Sequence, residues 1–268
     1  IEISEKKGGY RTCRWRSSSA ARRIVRYHLR VARGQPLHSM VGSAAIATVA
    51  ARTNLPHDAV AYVASAGLMV ATVESVKLFS RAGVLSTYVT RKLMHMAAGP
   101  IFMLTWPFFR SKRSSWVAAA VPLAMTLKFA LVGLGVLKSD IDVKTMSRTG
   151  AREELLRGPV LYGLVFVLTT GFFFRDIVAA SALLALCFGD GMSDVVGRRY
   201  GTIHKLPWSP RKSWAGSGGF LVSAFASCLA CAAAFQQAGW LLTPLDRMLL
   251  PLFAAAVVGA AVESLPLR

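Results

Sequence analysis

The chain has 268 residues, 54% of them apolar and only 17% charged, with a mean hydropathy of +0.46. Ordinary soluble domains carry nearer a quarter charged residues, so that class is excluded and a bilayer is the expected solvent. The formal charge of +19 does not signal nucleic acid, because 10 of the 32 basic residues fall in the first 36 positions, beside only Glu2 and Glu5.

That tail (Arg11, Arg14, Arg16, Arg22, Arg23, Arg26, Arg30 and Arg33 among Ser17, Ser18 and Ser19) is Arg- and Ser-rich and poor in acids. Organellar transit peptides have this composition, and so does a basic segment lying on anionic lipid. The start at Ile1 rather than Met is expected to reflect a longer presequence. Residues 37–268 are expected to form one multi-span membrane domain.

The stretch His38 to Ala51 is apolar but short, and reads as an interfacial or partly inserted helix. Beyond it, apolar runs bounded by charge, Pro or Gly predict spans near Ala59–Phe79, Leu93–Phe109, Ser115–Leu137, Leu155–Phe174, Ile177–Val196, Trp214–Phe235 and Leu249–Leu265. The expected fold is therefore all-α, a polytopic integral membrane protein with about seven transmembrane helices. Seven alternating spans put residues 80–92, 138–154 and 197–213 on one side, with most of the Lys and Arg outside the tail. By the positive-inside rule that side faces the cytosol or stroma, where nucleotides are found.

Chemistry concentrates in the segment from Gly189 to Gly219, GDGMSDVVGRRYGTIHKLPWSPRKSWAGSGG. Asp190 and Asp194 are four apart and share a helix face. Two carboxylates at the end of a span repel one another and resist burial unless a cation lies between them. Mg²⁺ suits such a pair, since it takes one or two carboxylates and completes its shell with phosphate oxygens and water. Arg198, Lys205, Arg211 and Lys212 add positive charge, Gly189 and Gly191 allow close approach of backbone amides to an anion, and Ser213 opens a helix whose N-terminus favours phosphate. Together these residues imply a metal-triphosphate pocket; the plain alternative is a solvated basic loop after a chance acidic pair.

His95, one turn after Arg91, and the cluster Arg152, Glu153, Glu154 and Arg157 fall on the same side. His95, Glu153 and Glu263 are the candidates to accept a hydroxyl proton. Glu74, in the first span, reads as a satisfied polar contact. Cys228 and Cys231 sit in an Ala-rich apolar run and read as packing, not as a zinc or redox pair.

The motifs TRKLMHMAAGP (Thr90 to Pro100), Trp106-Pro107, REELLRGP (Arg152 to Pro159), GDGMSDVVGRRYG (Gly189 to Gly201), SPRKSWAGSGG (Ser209 to Gly219) and VESLP (Val262 to Pro266) occur in this order. In this the chain resembles the phytol kinase and farnesol kinase branch of the polyprenol kinase family. The resemblance implies a CTP-dependent kinase that phosphorylates phytol, farnesol or geranylgeraniol in isoprenoid salvage. The expected location is a plastid membrane or, alternatively, the endoplasmic reticulum, and Asp190 and Asp194 remain the expected Mg²⁺ ligands. Members continue past the VESLP-like segment with a further span, so a truncated C-terminus is expected. The alternatives are a CTP-dependent lipid cytidylyltransferase and an organic-phosphate transporter.

Overall fold

The computed structural model describes residues 37–266, with side chains from Ser43 onward. The basic tail, with Cys13 and the targeting segment expected there, lies outside the described residues. In chain order the helices are α1 (Leu37–Thr53), α2 (His57–Arg81), α3 (Thr87–Leu104), α4 (Ser115–Gly133), α5 (Asp140–Met146), α6 (Glu154–Arg157), α7 (Pro159–Phe173), α8 (Ile177–Leu184), α9 (Asp190–Tyr200), α10 (Trp214–Gln237) and α11 (Leu245–Ser264). The segment expected to lie at the interface is helical throughout α1, whose Ile46 joins the main core.

The all-α expectation holds. Among the described residues, six segments are long and apolar enough to cross a membrane: His57–Arg81, Lys112–Gly133, Glu154–Phe173, Ile177–Tyr200, Trp214–Gln237 and Leu245–Ser264. The seventh expected span is α3. It begins six residues earlier than the hydropathy suggested, because Ser86 caps it by accepting a hydrogen bond from the Val89 amide. Arg91 and Lys92 therefore stand inside the helix with His95 and not ahead of it. The fourth span is broken at Gly158, where Pro159 starts α7 with its fixed φ.

Large apolar side chains such as Leu123, Leu127, Leu131, Leu164 and Phe172 point outward, as expected of helices solvated by lipid. The inner core is aromatic at the end remote from the acidic pair. Trp106, Phe109 and Phe174 are almost wholly buried there. Arg175 closes this end, donating to the carbonyls of Trp106 and Phe109 at 2.6 Å each while lying 4.7 Å over the Trp240 ring. Burial pulls its guanidinium down to about 10, still charged at neutral pH.

Two features depart from the sequence reading. Of the expected loop 197–213, the first four residues continue α9 and the later part folds back as a small antiparallel hairpin, β1 (Lys205–Leu206) with β2 (Ser209–Ser213). Elsewhere, four charges from three separate segments meet, with Lys77 and Asp142 in the interior. Lys77 of α2, only 2% exposed, pairs with Asp142 of α5 at 2.6 Å and with Glu74 at 2.7 Å. Lys128 of α4 reaches the other Asp142 oxygen at 2.8 Å, and Ser139 donates to it at 2.6 Å. Glu74 is thus a satisfied polar contact, as its sequence context suggested. The cluster fastens the short polar helix α5 onto two spans and so fixes the course of the segment after it.

Candidate functional site

Between α8 and α9 the chain makes a π-helical turn over Ala185–Gly189, a feature frequent at functional sites. It leaves the Leu186 carbonyl facing His95, whose Nε2 lies 2.9 Å away. A carbonyl can only accept, so Nε2 carries the proton. The same nitrogen is 3.2 Å from Asp190 Oδ2. Tyr162 of α7 holds the other side of this corner, its hydroxyl donating to the His95 carbonyl at 2.6 Å and its ring lying 4.7 Å from the imidazole.

One turn further along α9, Asp194 lies 2.8 Å from Lys92 Nζ and accepts from Arg198 Nε at 2.9 Å and from the Tyr88 hydroxyl at 3.3 Å. Lys92 is only 12% exposed. The positive charge that the sequence demanded beside two carboxylates is therefore supplied in part by Lys92 and Arg198. Both Asp194 oxygens are committed, whereas Asp190 uses one oxygen toward His95 and keeps a half-exposed side chain.

Among the described residues no group of three or more His, Cys, Asp or Glu side chains could hold a metal ion by itself. The donor set instead fits Mg²⁺ that arrives on phosphate, which needs only one or two protein carboxylates. Asp190 is the residue free to provide one.

Other expected residues are distributed as follows. Lys212 pairs with Glu263, and the same carboxylate accepts from Ser193 at 3.3 Å. Glu263 thus ties the hairpin and α11 to the back of α9. Lys205 and Arg211 are exposed on the hairpin. Ser213 caps α10 by accepting from the Gly216 amide at 3.1 Å, so that helix end is satisfied from within. Glu153 is exposed and pairs with Arg152 at 3.0 Å, outside the cavity described below.

At Gly189 and Gly191, expected to let backbone amides approach an anion, the structure shows close helix packing. A Cβ at Gly189 would stand 2.8 Å from the Phe220 ring, and one at Gly191 would stand 2.5 Å from Met96. These glycines let α10 and α3 approach the acidic helix. Cys228 is buried with its thiol 3.8 Å from the Ser181 carbonyl, and Cys231 is partly buried nearby. Replacing both with alanine is expected to leave turnover within about twofold and stability within roughly 1–2 kcal/mol, the ordinary range for modest core changes; an activity assay beside thermal unfolding in detergent checks this.

The feature that sequence reasoning missed is a cavity of about 500 Å³ between α2, α3, α4 and α7. Its walls are apolar, with Val73, Met94, Met125 and Phe129 among them. Its polar groups gather at the acidic pair's end: Arg91, Lys92, His95, Arg148 and Asp190. Arg148 is brought there by the segment that follows α5, and Arg91 donates to the Ser147 carbonyl at 3.3 Å. A long greasy slot with one cationic, carboxylate-bearing end suits an amphiphile whose polar terminus meets an anionic co-substrate.

Curated relatives share this chain's sequence over most of its length. It is 34% identical over 224 residues to phytol kinase 1, chloroplastic, of Arabidopsis thaliana, covering 83% of this chain and 73% of that protein. It is 35% identical over 228 residues to probable phytol kinase 2, chloroplastic, of Oryza sativa subsp. japonica, covering 84% and 74%. Farnesol kinase, chloroplastic, of Arabidopsis thaliana is 37% identical over 187 residues, covering 69% and 60%. No family model matches the chain. No solved structure matches it.

Proposed function

We propose that this chain, which belongs to the phytol kinase and farnesol kinase branch of the polyprenol kinase family, transfers the terminal phosphoryl group of CTP to the hydroxyl of a long-chain isoprenoid alcohol. It is an enzyme, a phosphotransferase with an alcohol acceptor. The relatives are chloroplastic by name, and with its apolar spans this chain is an integral protein of a plastid membrane. The observation that carries the substrate reading is the apolar cavity with its polar groups at one end. Apolar walls hold an isoprenoid chain by area burial, and the hydroxyl then lies beside Asp190, His95 and Lys92.

Phosphoryl transfer asks the protein for positioning and charge neutralisation more than for covalent chemistry. The alcohol oxygen forms a bond to the terminal phosphorus while the bridging phosphorus–oxygen bond breaks, and the diphosphate leaves. The hydroxyl proton passes to a base. Of His95, Glu153 and Glu263, only His95 lines the cavity; with Nε2–H committed to Leu186, its free lone pair is on Nδ1. Lys92, Arg91 and Arg148 neutralise phosphate oxygens at the mouth, while Arg198 keeps Asp194 oriented. Asp190 would hold Mg²⁺, which supplies further neutralisation of the triphosphate when bound. CTP is preferred to ATP on the family resemblance.

Membranes carrying the protein, given Mg²⁺, CTP labelled in its terminal phosphate and farnesol, phytol or geranylgeraniol, are expected to yield a labelled lipid monophosphate. Label that appears only with ATP would remove the CTP assignment. Transfer of the nucleoside monophosphate to lipid, with pyrophosphate released, would replace the kinase reading by cytidylyl transfer.

A further inference from the structure

The cavity has a definite far end. Along α3 its wall is made by Arg91, His95, Ala98 and Phe102, spaced by four, three and four residues and hence on one face. From Lys92 to Phe102 is ten residues, about 15 Å of helix at 1.5 Å per residue. Helix α7 descends alongside, from Pro159 and Tyr162 to Phe166. At the bottom Phe102 and Phe166 meet with ring centroids 6.2 Å apart and are 1% and 3% exposed. Behind them Trp106, wholly buried, packs edge-on against Phe102 at 6.4 Å. The floor is therefore backed by the aromatic core that Arg175 closes.

An isoprene unit advances by about 5 Å when extended, being four carbon–carbon bonds of roughly 1.5 Å projected on the chain axis. Three units match the length of α3 from Lys92 at the polar mouth to Phe102 at the aromatic floor, and a fourth exceeds it. We propose that Phe102 and Phe166 form a length stop that makes this enzyme select a fifteen-carbon alcohol over twenty-carbon ones. This rests on the isoprenoid kinase reading above and adds to it the residues that set chain length. Rigidity is what gives the stop its force, because a loose apolar cleft discriminates weakly among homologous chains whereas a packed one excludes extra carbons.

The test compares kcat/KM for farnesol and geranylgeraniol in wild type, Phe166→Ala, Phe166→Leu and Phe102→Ala, with Leu161→Ala as a wall control away from the floor. Because both alcohols are measured on the same preparation, the ratio is independent of how much protein folds, and Phe166→Leu keeps the core filled should the alanine variants fail to insert. Wild type is expected to favour farnesol by about tenfold or more. The floor variants are expected to shift the ratio toward geranylgeraniol by a similar factor, and Leu161→Ala is not. An unchanged ratio in all floor variants that still phosphorylate farnesol would overturn the stop and leave the kinase reading intact. Wild-type protein that phosphorylates no alcohol would overturn the kinase reading, and the stop with it.

Discussion

Asp190→Asn is expected to lower alcohol phosphorylation by about 10²–10³-fold, the loss that follows removal of a single pre-organised electrostatic contact to the reacting group. The substitution is isosteric, so it leaves the turn at Ala185–Gly189 and the contact with His95 sterically undisturbed. What it removes is the one carboxylate at the cavity mouth with uncommitted capacity, since Asp194 is already engaged by Lys92, Arg198 and Tyr88. The variant should therefore insert and unfold like wild type while losing kcat. Initial rates of lipid monophosphate formation at matched protein content check this. Activity retained within tenfold would mean that the triphosphate is held elsewhere. Glu153→Gln is the natural comparison, because Glu153 is exposed and outside the cavity; it should change the rate by less than about twofold, as surface substitutions do.

Asp142→Ala is expected to be the most destabilising single change away from the active centre, by about 3–5 kcal/mol. It would strand Lys77, which is 2% exposed, with only Glu74 for a partner, and would release Lys128 as well. The same change frees α5, and with it the backbone at Ser147 and Arg148 that faces Arg91 across the cavity mouth. Thermal unfolding in detergent measures the first effect and KM for the nucleotide the second. A variant as stable as wild type would show that the buried cluster is dispensable. The pH dependence has a definite sign. Burial pushes the Asp142 carboxyl up, but its contacts with Lys128, Lys77 and Ser139 outweigh this and hold it below the ordinary value of 3.8. A depressed carboxylate contributes stability above its unfolded pKa and loses it as pH falls through the folded one. The cluster should therefore remain intact at neutral and mildly acidic pH and fail only below about pH 4, where carboxylates protonate.

The spans were legible because each is a long apolar run, and α9 was legible because Asp190, Asp194 and Arg198 lie within nine residues of one another. Contacts between distant segments were not. Lys77 and Asp142 are separated by 65 positions, and no periodicity links them. A usable signal was nevertheless present. Lys77 and Lys128 are lone cations in apolar runs, and intramembrane charges of that kind demand partners. The packing role of the glycines in the acidic segment was hidden for a related reason. Glycines beside acids and cations suggest an anion site, and only the proximity of Phe220 and Met96 reveals that Gly189 and Gly191 also serve helix packing. The cavity belongs to four helices at once, so composition could suggest a bilayer-buried tail but not the walls that hold it.

An α-helix turns by about 100° per residue, so the widened turn at Ala185–Gly189 acts as a phase shifter within one continuous rod. Below it, Ala179, Ala180 and Leu183 are indexed to the packed interior; above it, Asp190 and Asp194 are indexed to α3. Wound as ordinary α-helix, the same five residues would turn further and swing both carboxylates away by about a quarter of a revolution, while the hydropathy of the span stayed the same. Two chains with equally convincing spans can thus differ in possessing a reactive centre at all, by a local winding that no hydropathy profile records.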